Sequence, residues 1–420
     1  MSGSLAAADL VAIVLVLAAL IGCINYLWIG LPPAVAALGG SLALSLLIVA
    51  SDRLFHLHVM HWFRDTLDAA NLPRVFLDVI LALLLFAASL HVNLAELRHR
   101  SWAILALATG SVMLSTIIFA FGIWLVFGLF GANVPLSWCF VLGAILAPTD
   151  AVVVEALLRK VSLPPTLRAA IVGESLFNDG ASVVLFLLAL RMTHGEPVTI
   201  GHGQIMLELA REIIGGAAVG FVAGWLATQL IGRIKDDGLQ LMVSLALAMG
   251  CYRLASVLHL SGPIAVVTAG LCVASLSRVA SQPGTRLPLV GFWALLDQIL
   301  NTMLFLLMGF QILGLTMQPL QLLYAVFAIP LAVAARWISV AIPWSLTPGG
   351  LRDKARGTAV LTWAGLRGGI SVALALTLPP TLWRADLLVV AYAVVVFTII
   401  VQGLTMPPFL RAVYGARKAE

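Results

Sequence analysis

The chain has 420 residues, of which 61% are hydrophobic and only 10% are charged. A soluble domain carries about 25% charged residues, so this chain cannot cover itself for water and its surface must face lipid. Its net charge of +5 lies in short loops, where basic residues orient a chain against a membrane; it is no sign of nucleic-acid binding.

Apolar stretches of about 20 residues, long enough to cross a bilayer, run near 8–28, 34–51, 74–92, 102–130, 137–158, 167–191, 205–232, 238–258, 262–277, 291–314, 320–345, 356–378 and 387–410. They predict an all-α polytopic membrane protein of thirteen transmembrane helices, with 1–420 as a single integral membrane domain. The first helix is expected to be retained, because no Lys or Arg precedes Leu10 to Leu27 as a signal peptide requires. The same missing leader argues against a lipoprotein box at Leu20-Ile21-Gly22-Cys23. Cys23, Cys139, Cys251 and Cys272 all lie in apolar stretches and read as packing residues rather than disulfide partners.

An odd number of spans puts the termini on opposite sides. With the N-terminus outside, the inside loops hold residues such as Arg98, Arg100, Arg159, Lys160, Arg233, Lys235, Arg352 and Lys354. That is about twice the basic content of the outside loops, so the C-terminus is expected in the cytoplasm and the protein in the cell (inner) membrane. The loop 52–73 carries His56, His58 and His61. Three histidines so close suit zinc; an amphipathic surface stretch with Leu57, Val59, Met60, Trp62 and Phe63 as its apolar side is the preferred reading.

Two helices are interrupted in mid-span. The fifth carries Gly143 to Thr149 with Pro148, and the twelfth carries glycines from Gly365 to Gly369. They stand seven helices apart, an odd offset that gives them opposite orientations. Interrupted helices at matching places in two inverted halves point to a transporter's binding site. Close packing at glycine explains either helix alone, but less well both together.

A charge near the bilayer centre costs at least about 2.5–3.5 kcal/mol and marks a functional site by default. Asp150, Glu174, Asp179, Arg336 and Arg367 qualify. Pro148 breaks its helix, freeing carbonyls for a cation, and Thr149 and Asp150 add hard oxygens. As a plain helix cap Asp150 would need no ion. In IVGESLFNDGASVV, Glu174 and Asn178 share one helix face, and Ser175 and Asp179 share the next. Carboxylates so close need a cation, and Arg336 is the expected partner of Glu174 and Asn178. Ser175 and Asp179 then face Asp150. Arg367 either answers that second pair or neutralises the end of its own half-helix.

The blocks APTDAVVV, GESLFNDG, LDQILNTMLFLLMGF, AARWISV and WAGLRGGISVALAL, in this order over about 74–405, resemble the monovalent cation:proton antiporter-1 family, the NhaP-type sodium/proton exchangers. The resemblance implies two inverted repeats, with the two interrupted helices crossing in a mobile core domain (about 74–191 and 320–410). A dimerisation domain (about 8–51 and 205–314) and a homodimer go with it. It implies ion binding by Asp179, Asp150, Ser175 and Thr149, and a stabilising cluster of Glu174, Asn178, Arg336 and Arg367. Asp297 and Asn301 match a recurring pair with no role assigned. Ala87 stands where archaeal relatives tend to carry a glutamate, which bears on ion preference.

The implied function is secondary antiport of Na+ (or Li+) for H+, with no cofactor. Proton and cation compete at Asp179, and Asn178 in place of a second aspartate predicts electroneutral one-for-one exchange. A K+/H+ antiporter would use the same residues. An intramembrane enzyme is the distant rival, since no HExxH or GxSxG motif occurs.

Overall fold

Uninterrupted apolar sequence has few ways to satisfy its backbone in lipid, and the helix is the simplest. The computed structural model describes residues 2–55, 74–90, 110–150, 165–193, 202–279, 287–314, 318–346 and 351–414, and the regular structure among them is helical throughout. In chain order it comprises α1 (Ser2–Ile24), α2 (Pro33–Phe55), α3 (Arg74–Leu90), α4 (Ser111–Leu129), α5 (Leu136–Ile145) and α6 (Pro165–Thr193). It continues with α7 (His202–Ile231), α8 (Asp237–Val257), α9 (Gly262–Val279), α10 (Leu287–Gly314) and α11 (Pro319–Ser345). Last come α12 (Leu351–Trp363), α13 (Gly369–Leu376), α14 (Arg384–Val396) and α15 (Gly403–Tyr414), with a π-helical segment Phe397–Gln402 joining the final two.

Among the described residues, 7 helical stretches are long and apolar enough to cross a membrane, and shorter apolar helices add to them at Pro33–Ile48, Val79–Leu90, Leu136–Ile145 and Gly262–Ser275. Large apolar side chains point outward, as on α7, where Phe221 is 59% and Trp225 52% exposed. That is the surface lipid requires.

Small residues set the closest helix contact. Gly216, Gly220 and Gly224 on α7 face Ser261, Ala265 and Ala269 at the head and along the length of α9, and a Cβ at Gly216 would lie 2.6 Å from the Ser261 carbonyl oxygen. Small residues at four-residue spacing let two backbones touch, which substitutes dispersion for a hydrophobic drive that lipid does not supply.

The fifth helix departs from expectation in one detail. Gly143 is not part of its break: α5 runs on to Ile145. Gly143 packs against α4, where a Cβ would meet the Thr116 carbonyl oxygen at 2.7 Å. The break opens at Leu146, within a turn upstream of Pro148, as the proline ring dictates. The continuation expected over 151–158 and the histidines His56, His58 and His61 lie outside the described residues. The twelfth stretch divides into α12 and α13 with Ala364–Gly368 between them.

Candidate functional site

A helix broken in the membrane leaves unpaired carbonyls and amides that must find partners. Here the two breaks satisfy each other. The backbone N–H of Asp150, beyond the end of α5, donates to the Leu366 carbonyl between α12 and α13 at 2.8 Å. Arg367 reaches back the other way, its Nη1 donating to the carbonyls of Ala147 (2.9 Å) and Pro148 (3.2 Å). Arg367 therefore caps the carbonyl end of the opposite broken helix, not the end of its own, and it meets backbone oxygens there rather than a carboxylate. A side chain leaving a crossing point projects onto the segment it crosses, and sequence spacing does not show which segment that is. Gly368 is needed where the two broken segments meet, because a Cβ there would come within 2.7 Å of Asp150 Cβ and 2.8 Å of its Oδ2.

Helix α6 lies across this crossing. Ser175 Oγ donates a short hydrogen bond to the Thr149 carbonyl. The Asn178 amide brackets the same residue: Nδ2 donates to Thr149 Oγ1 at 2.6 Å, and Oδ1 accepts from Thr149 N at 3.4 Å. Asn178 was expected to share Arg336 with Glu174, and its engagement is with Thr149 instead. The two lie on one face of α6 but four residues apart, about 6 Å along the axis, and the guanidinium is taken up by Glu174. Asp179, only 8% exposed, comes next, and Asp150 and Asp297 stand close enough for their charges to bear on it.

The expected pairing of Glu174 with Arg336 is present as a buried ion pair. Arg336 grips Glu174 with both terminal nitrogens, through a short Nη1–Oε1 contact and an Nη2–Oε2 bond of 2.9 Å. Ser111 Oγ adds a bond to Oε1 at 3.1 Å, and Arg336 Nη2 also donates to the Leu361 carbonyl at 3.4 Å. Such a bidentate pair neutralises both ions where water is absent, although Arg336 Nε has no hydrogen-bond partner. Thr149, Asp150, Glu174, Ser175 and Arg336 line one small cavity, with Ile171, Leu361 and Ala364 as its apolar wall.

Two residues carry more than their sequence signal showed. Asn301 on α10 accepts the Gly369 N–H at the start of α13 through Oδ1 at 3.2 Å. Its side chain also hydrogen-bonds that of Asp297, one turn earlier. The expected departure in α3 is visible too: Ala87 is fully buried.

Carbonyl, hydroxyl and carboxylate oxygens gathered at a helix break suit a hard cation such as Na+. The sequence profile described as "Sodium/hydrogen exchanger, transmembrane" matches residues 11–412. The chain belongs to the sodium/hydrogen exchanger family. Within it, the exchanger is 36% identical over 419 residues to the Na(+)/H(+) antiporter NhaP of Pseudomonas aeruginosa, covering 98% of both chains. It is 31% identical over 340 residues to the Na(+)/H(+) antiporter NhaH of Halobacillus dabanensis, covering 80% of this chain and 82% of that one. Its fold matches the solved structure of the sodium proton antiporter MjNhaP1 from Methanocaldococcus jannaschii with a TM-score of 0.76 at 18% identity, over 99% of this exchanger and 100% of that chain. At that identity the likeness speaks for the course of the helices.

Proposed function

We propose that this exchanger is a secondary antiporter that trades one Na+, or Li+, for one H+ across the cell membrane by alternating access. The observation that supports the reading is the mutual hydrogen bonding of the two broken segments, which holds Asp150 at the crossing, where its charge bears on buried Asp179. In this account Asp179 takes a proton or the cation in turn, with Asp150, Ser175 and Thr149 completing the ion's shell. Either ion lowers the charge that must cross a low-dielectric barrier, and the bare site crosses poorly, so the two fluxes are coupled.

The Asn178 amide, occupied with Thr149, carries no charge, which leaves one exchanging carboxylate in the Asn-Asp pair and makes exchange electroneutral. The wider architecture proposed with it has thirteen spans in two inverted repeats, the N-terminus outside and the C-terminus in the cytoplasm. Helices α3–α6 and α11–α15 form the moving core, and α1, α2 and α7–α10 form the half that pairs two copies into a homodimer. The relatives' names favour Na+ over K+.

Proton flux in proteoliposomes tests this directly. Na+ and Li+ should drive it and K+ should not, and clamping the voltage with valinomycin and K+ should leave the Na+-driven flux unchanged. A K+-driven flux of equal size would favour the K+/H+ reading, and a flux set by the clamp would refute electroneutrality.

A further inference from the structure

Among the described residues, the ionisable groups around the crossing do not balance. Buried Glu174, Asp179 and Asp297 and half-buried Asp150 stand against buried Arg336 and Arg367, an excess of two negative charges when all are ionised. Arg336 answers Glu174. A single cation at Asp150 and Asp179 still leaves one charge over, and the group without an answer is Asp297.

Asp297 lies in the middle of α10, 5% exposed. One of its oxygens, Oδ2, has no hydrogen-bond partner. Its neighbour Asn301 ties this turn of α10 to Gly369, and the adjacent Gly368 lies against the Asp150 carboxylate. Asp297 is thereby set close to the crossing, near enough for its charge to bear on Asp179 and for that of Asp150 to bear on it. The three carboxylates do not converge on one point: among the described residues no three acidic, histidine or cysteine side chains do. A second cation would need its own position.

We propose that Asp297, with Asn301, forms a second binding site for a monovalent cation, beside the Asp150–Asp179 site and able to load it. This rests on the antiport reading, in which α10 belongs to the stationary half. The ion at Asp297 stays with α10 while Asp179 carries its own, so exchange remains one for one. Among the described side chains, the other charged groups near α10 are exposed or engaged elsewhere. Of the helices packed on α10, α13 carries no charged residue, and the charged residues of α1, α2 and α3 (Asp9, Asp52, Arg53, Arg74 and Asp78) have side chains outside the described set. On α8, Asp237 and Arg253 are exposed. On α14, Asp386 is bonded to Gln321 and Arg384 to the Leu378 carbonyl. The Tyr392 hydroxyl meets Gln311, about 21 Å along α10 from Asp297 at the helical rise per residue.

Equilibrium binding of radioactive Na+ to the purified full-length chain at alkaline pH counts the sites. Wild type should bind two Na+ per chain, and Asp297→Asn and Asp179→Asn one each, with thermal unfolding in detergent showing that each variant is folded. Asp297→Ser is counted as well, so that the result does not hang on one substitution. The apparent KM for Na+ in transport should also rise severalfold in Asp297→Asn. One Na+ per wild-type chain, lost in Asp179→Asn and kept in Asp297→Asn, overturns this inference and leaves antiport standing, with Asp297 holding a proton instead. Binding that survives unchanged in Asp179→Asn contradicts the antiport reading itself.

Discussion

Arg367 Nη1 donates to the carbonyl oxygen of Ala147 at 2.9 Å, across the crossing of two helices that are far apart in sequence. The contact puts a buried cation at the negative end of α5, where unpaired carbonyls accumulate. It also makes each broken helix depend on the other for its shape.

Replacing Arg367 by Gln should therefore loosen both breaks together. Two hydrogen bonds from a charged donor are lost, each worth about 1.5–3 kcal/mol. Thermal unfolding in detergent should fall by several degrees, and Na+-driven proton flux should fall further than stability alone explains. Unchanged flux would show that the cap does not shape the site.

The Glu174–Arg336 pair should behave as scaffold. Arg336→Ala leaves the Glu174 carboxylate buried at 1% exposure without its ion partner, a loss of about 3–5 kcal/mol. Replacing both residues by apolar side chains of similar volume should recover much of that stability, as a double-mutant cycle in thermal unfolding would show. If the double variant is no more stable than Arg336→Ala, the pair is not an isolated scaffold unit.

Gly368→Ala tests the closeness of the crossing. The added methyl meets Asp150 Cβ at 2.7 Å and its carboxylate at 2.8 Å, and Asp150 must move. We expect folded protein with strongly reduced transport, measured as flux per reconstituted protein. Full activity would place Asp150 outside the ion's shell.

Competition at one carboxylate sets a pH rule. Lowering the pH puts the proton on Asp179 and raises the apparent KM for Na+, by up to about tenfold per pH unit when one proton competes with one cation. Higher Na+ should move the acid limb of the activity profile to lower pH. Measured KM values that stay constant as the pH falls would exclude shared occupancy.

Among the described residues, the all-helical character and both interruptions were legible in the sequence, because a proline and clustered glycines in apolar stretches leave few alternatives. So was the pairing of Glu174 with Arg336, since a buried carboxylate needs a cation and few were on offer. Asn178 and Arg367 were harder. Periodicity gives the face of a helix that a side chain leaves from, not the neighbour it meets, and both residues turned to the breaks that cross near them. Gly143 looked like part of an interruption and proved to be a contact with α4. Asp297 was noticed only as half of a recurring pair. Nothing in its apolar surroundings on α10 shows that folding brings it within electrostatic reach of Asp150 and Asp179.

The most direct test is Na+-driven proton flux in proteoliposomes carrying wild type or Asp179→Asn, across Na+, Li+ and K+. The account predicts that the variant inserts and folds normally and is silent with each cation. Proton flux from Asp179→Asn approaching that of wild type, with any of them, would contradict it.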